Sequence, residues 1–133
     1  MLDLKIINGS CYIGGKLEKQ DIGIKEGKIV NIGSFKEDSK EIYDAENLTV
    51  LPGCIDTQVH FREPGLTHKE DIFHGTMGAV LGGVTSIFEM PNTKPPTTNE
   101  HELERKFKIA EKKAFCNYSF FVGASKENID DLN

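Results

Sequence analysis

From Leu51 onward the apolar residues switch repeatedly between strand and helical spacing, and the segments joining successive strands are too long to be hairpins. Thr67 and Glu70 match a capping box, in which hydroxyl and carboxylate satisfy first-turn amides, so a helix is predicted to start there. Ile72, Phe73, Thr76, Met77, Val80 and Leu81 recur at helical spacing, and Gly82-Gly83 supplies the stop. Val84 to Met90 reads as a strand. A second capping box at Thr97 and Glu100 opens a helix with Leu103, Phe107, Ala110 and Ala114 on one face and a solvated, charged face opposite. Tyr118 to Val122 is a third strand, and Ser125 begins a third helix. Strands joined through helices pair in parallel, so the fold class is α/β.

A parallel sheet closes as a barrel or spreads as a doubly wound sheet. No Gly-x-Gly-x-x-Gly follows the first strand, which disfavours the dinucleotide-binding version. In a (β/α)8 barrel the chemistry sits at the carboxyl ends of the strands, and unusual polar residues do fall there: His60 and Arg62 after the first, Glu89 and Asn92 after the second. A full barrel needs about 250 residues. The 133 residues here allow about three of its eight units.

The residues before Leu51 have a different texture. Short runs at 5–7, 11–13, 21–25, 28–32, 41–44 and 49–51 read as strands, separated by Asn8-Gly9, Gly14-Gly15 and Glu26-Gly27 turns and a polar loop from Phe35 to Lys40. Ile29 and Ile32 lie three apart on a return strand, which predicts a bulge or twist in that hairpin. Asn47 suits a left-handed turn. Residues 1–50 are therefore read as a small β-rich segment and 51–133 as the α/β part.

Where the two meet, Asp56, Gln58, His60 and Arg62 alternate. On an extended strand they would share one face. Four polar groups on one face of a strand entered by apolar residues cost desolvation, unless they meet a ligand, a metal or each other.

Charge and cysteines narrow the function. The net charge is −5 and no basic stripe interleaved with aromatics occurs, which argues against nucleic acid and for a small-molecule substrate. Cys11, Cys54 and Cys116 lack metal-type or disulfide-framework spacing, pointing to a reducing cytoplasm. No segment approaches the roughly 20 apolar residues of a membrane span, and no apolar leader follows Met1.

The run Asp56-Thr57-Gln58-Val59-His60-Phe61-Arg62-Glu63-Pro64-Gly65 resembles the Asp-x-His-x-His-x-Arg-x-Pro-Gly signature of bacterial dihydroorotases, in the amidohydrolase superfamily. Gly82-Gly83-Val84-Thr85 and Glu89-Met90-Pro91-Asn92-Thr93-Lys94-Pro95 resemble the next two blocks of that family, and the β-rich start resembles its composite sandwich domain. The resemblance implies a TIM-like barrel and a zinc-dependent cyclic amidohydrolase interconverting dihydroorotate and N-carbamoyl-aspartate in pyrimidine biosynthesis. It implies His60 as a metal ligand, Arg62 and Asn92 as holders of the substrate carboxylate, and Asp56 behind the metal site.

Gln58 stands where the signature has its first His, and a neutral amide oxygen is a poorer zinc ligand than imidazole. The remaining ligands and the catalytic Asp of the family belong to later strands, so the chain is expected to be an N-terminal fragment, inactive alone. The alternatives are a related cyclic amidase (hydantoinase, dihydropyrimidinase or allantoinase) and a non-catalytic scaffold. The resemblance also suggests a homo-oligomeric parent or one associated with aspartate carbamoyltransferase.

Overall fold

In the computed structural model, residues 1–132 are described. The chain divides into two compact units, Met1–Pro52 and Gly53–Asn133.

The first unit carries seven strands: β1 (Leu2–Ile7), β2 (Ser10–Ile13), β3 (Lys16–Lys19), β4 (Asp21–Lys25), β5 (Lys28–Gly33), β6 (Ser39–Asp44) and β7 (Thr49–Val50). They form a four-stranded sheet, β5-β4-β1-β6, and a three-stranded sheet, β3-β2-β7. Leu2, Cys11, Ile22 and Ala45 are its buried apolar residues. Glu26 and Gly27 both take positive φ in the β4–β5 turn, the twist a two-residue hairpin requires. The register of that hairpin shifts between Gly23 and Ile24, the bulge the isoleucine spacing predicts. Asn47 has a φ of 63°.

Two expectations fail here. β3 carries no strand signal in the sequence, because all four of its residues are exposed and only one is apolar; antiparallel pairing with β2 makes it a strand. Ser39 and Lys40, read as loop, open β6 because parallel pairing with β1 begins at Leu2 and Ser39.

The second unit is mixed α/β: β8 (Cys54–Val59), α1 (Ile72–Leu81), β9 (Val84–Glu89), α2 (Glu100–Lys113), β10 (Asn117–Phe120) and a single 3-10 turn, Ile129–Asp131. The sheet order is β10-β9-β8, and both pairings are parallel. Val59, Phe61, Ile72, Ile87, Ala110 and Phe120 make the core. Burial of a valine, isoleucine or phenylalanine side chain among these contributes about 1.5–3 kcal/mol each. Among the described residues only the 3-10 turn stands where a third helix was expected from Ser125; Asn133 lies outside them.

Both helices start later than their predicted caps. α1 is capped by Asp71, whose Oδ1 accepts the His74 amide at 2.8 Å, and not by Thr67. α2 is capped by Asn99, whose Oδ1 accepts the Glu102 amide at 2.9 Å, and not by Thr97, which is buried. Asp and Asn rank with Ser as preferred caps, ahead of Thr, and here they outrank it. Only Ile72, Gly75 and Thr76 of α1 are buried; Phe73, Met77, Val80 and Leu81 of its apolar set are exposed. Gly83, with a φ of 86°, ends α1 as expected.

Candidate active site

β8 ends at Val59, so the four alternating polar residues do not share one strand face. The β8–β9 register shifts between Asp56 and Val59, and Arg62 takes a left-handed φ of 67°. Asp56 Oδ1 accepts the Gln58 amide at 3.0 Å, bracing the strand locally, and both side chains are exposed.

His60 and Asn92 do meet. The Met90 amide donates to Val59 O at 2.9 Å, which aligns the segments leaving β8 and β9. His60 Nδ1 then lies 2.8 Å from Asn92 Oδ1. With that oxygen as acceptor, the proton sits on Nδ1 and the lone pair on Nε2, the tautomer an Nε2 metal ligand needs.

A second tie holds the loops together. The Lys94 amide donates to Pro64 O at 3.1 Å, and the backbone approach is so close that a Cβ on Gly65 would lie 1.9 Å from Lys94 O. Beyond β10, Asn128 is buried; its amide NH2 donates to Thr98 O and Gly123 O, and its Oδ1 accepts the Ser125 amide at 2.6 Å. The segments after all three parallel strands are thus joined by hydrogen bonds through backbone groups.

Arg62 is half-buried, and the obvious carboxylates beside it are already taken. Glu63 is ion-paired with Lys113 and its Oε2 accepts the Ile72 amide at 3.0 Å. Glu89 faces Lys106, whose Nζ lies 2.9 Å from Oε2. Among the described residues, the Arg62 guanidinium has no ion-pair partner.

The Glu89 and Lys106 pair was not expected. The charged residues of α2 read as a solvated face, yet both side chains of this pair are closed to solvent, at 0% exposure. The clue is positional: Lys106 falls three residues after Leu103 and four before Ala110, inside the apolar stripe of α2. Burial pushes the Glu89 carboxyl up and the Lys106 ammonium down, each opposed by the partner's charge; the Arg62 backbone amide also opposes the rise at Glu89, and the Glu63 carboxylate adds to it. The contact is an ion pair more than an aligned hydrogen bond, since neither Glu89 oxygen has a hydrogen-bond partner of good geometry. Lys106 Nζ donates instead to Met90 O at 3.2 Å.

As a metal donor set, these residues fit in part. His60 is exposed, with a suitable free nitrogen, but Gln58 is a neutral amide, and among the described residues no three of His, Cys, Asp and Glu gather closely enough to hold a metal ion. Among the described residues no complete metal centre is formed.

Parallel strands with polar loop residues gathered at their carboxyl ends give the frame of an α/β ligand or active site, and the chain belongs to the amidohydrolase family, whose profile matches residues 49–131. It is 42% identical over 123 residues to a dihydroorotase of Methanothermobacter thermautotrophicus, covering 92% of this chain and 28% of that protein. An allantoinase of Escherichia coli O1:K1 / APEC is 38% identical over 132 residues, covering 98% of this chain and 29% of its own length. Among solved structures, an L-hydantoinase (dihydropyrimidinase) from Arthrobacter aurescens superposes with a TM-score of 0.93 at 27% identity, over 99% of this chain and 30% of that one. The chain thus spans less than a third of the length of these relatives. No helix among the described residues is long and apolar enough to cross a membrane.

Proposed function

We propose that this chain forms the first part of a dihydroorotase-type cyclic amidohydrolase, interconverting dihydroorotate and N-carbamoyl-aspartate in pyrimidine biosynthesis, with the parallel sheet as the opening strands of a (β/α)8 barrel. The observation that carries the reading is the half-buried Arg62, left without an ion-pair partner among the described residues by the Glu63–Lys113 and Glu89–Lys106 pairs. A guanidinium fork suits a carboxylate bidentately. Asn92 engages His60 through its oxygen, which leaves its NH2 as a neutral donor for the same ligand. A left-handed non-glycine residue costs about 1–3 kcal/mol and clusters at functional sites, which supports a binding role for Arg62.

The cofactor we assign is zinc, with His60 as one ligand; in a complete site zinc lowers the pKa of its bound water to about 7, the chemistry an unactivated amide requires. Asp56 remains at most a brace behind that site. With one ligand position here, the 133-residue chain alone is expected to hydrolyse dihydroorotate no faster than a no-protein control.

A second reading, a cyclic amidase for hydantoin or allantoin, is favoured by the likeness to the Escherichia coli allantoinase and the Arthrobacter aurescens hydantoinase. Titration of the chain with dihydroorotate, hydantoin and allantoin, followed by amide resonances of Arg62 and Asn92, separates the two. Dihydroorotate alone should shift them. Equal shifts with the uncharged rings would transfer the assignment to the second reading.

A further inference from the structure

Lys106 is expensive where it stands. A fully buried lysine beside a buried carboxylate is rare, and two apolar side chains of similar volume would often serve stability as well or better. Its contacts lead to the candidate site. Nζ donates to Met90 O at 3.2 Å while facing Glu89, the residue before; the Met90 amide donates to Val59 O at 2.9 Å, the residue before His60; and Asn92, two residues on, meets His60 at 2.8 Å. The Met90 backbone is held at its carbonyl by α2 and at its amide by the end of β8.

We propose that Lys106 is a positioning residue: through the Met90 carbonyl and the Glu89 carboxylate it fixes the Met90–Asn92 segment, and thereby holds Asn92 where it sets the tautomer and orientation of the His60 imidazole. Without the lysine the segment, with Glu89 before it, keeps its backbone bonds to Val59, Phe121 and Thr97 but loses the side-chain hold on Met90 O, and the Asn92 oxygen is no longer delivered to one place. The role rests on the reading of His60 and Asn92 as site residues, but its test needs no substrate and no metal.

The test uses the whole 133-residue chain and the nitrogen resonances of the His60 ring. Wild type should show one Nδ1–H tautomer. The double substitution E89L/K106M removes both charges together, so that the core is not left with an unpaired ion, and should convert that signal into a tautomer mixture while the core amides of β9 and β10 keep their shifts. E89Q, which keeps the Lys106 bond to Met90 O and leaves an amide oxygen in place of the carboxylate to accept from Nζ, should preserve the single tautomer. A folded E89L/K106M chain with an unchanged His60 ring would overturn the proposal. If the double variant does not fold, the wild-type chain decides: a slowly exchanging Lys106 ammonium with coupling across the hydrogen bond to the Met90 carbonyl carbon supports it, and an ammonium exchanging freely with water refutes it. Failure of dihydroorotate to bind would sink the functional reading and leave this result standing.

Discussion

Lys106 Nζ and Glu89 Oε2 lie 2.9 Å apart with neither side chain reaching water. Breaking such a pair costs more than removing it whole. Lys106→Met should destabilise the chain by about 3–5 kcal/mol in urea titrations, and E89L/K106M by much less than the sum of its single substitutions. Additive effects would mean that the two groups do not interact.

The same pair sets a pH dependence. Glu89 is raised in the folded chain, so its contribution favours folding at low pH and is lost as pH rises through the raised value; Lys106 is lowered, so its contribution is present at high pH and lost as pH falls through the lowered value. In Lys106→Met only the Glu89 effect remains, without its counter-charge. That variant should recover stability relative to wild type on going from about pH 8 to about pH 5. A constant difference over that interval would contradict it.

Asp71 titrates the other way. The His74 amide holds its carboxyl below the usual value of 3.8, so the stability it contributes is present above that value and lost as pH falls through the lowered one. Asp71→Ala should cost about 1 kcal/mol at neutral pH, and Asp71→Asn, which still caps, distinctly less. Thermal midpoints of the two variants against pH check both statements.

Gly65 combines a φ of 88° with the close approach to Lys94 O. Gly65→Ala adds a left-handed conformation costing about 1–2 kcal/mol to a clash with backbone, which cannot move aside as a side chain would. We expect a loss above 2 kcal/mol in chemical denaturation, together with altered His60 and Asn92 resonances; a near-neutral substitution would show that the two loops are not tied.

Part of the second unit is legible because periodicity reports burial on α2: Leu103, Ala110 and Ala114 face the core as their spacing implies, whereas Phe107 and most of the apolar set of α1 stay exposed; Gly82-Gly83 stops α1. The buried Lys106 is decided by a partner on another element, the Glu89 carboxylate on β9. β3 is decided by its hairpin neighbour β2, and the caps by which side chain accepts the amide three residues on, none of which hydrophobic spacing reports. Motif matching placed His60, Arg62 and Asn92 at the strand ends, where the first and last do meet. It did not foresee that β8 ends before His60, because the shift in register with β9 and the left-handed Arg62 are properties of the pairing and the loop.

On the proposed reading, Arg62 awaits a carboxylate. Affinity of the chain for dihydroorotate, measured by resonance shifts in wild type and in Arg62→Met, tests it most directly. Loss of a charge-assisted bidentate contact, worth about 1.5–3 kcal/mol, predicts at least a tenfold weaker Kd for the variant. An unchanged Kd, or no binding by wild type at millimolar ligand, would contradict it.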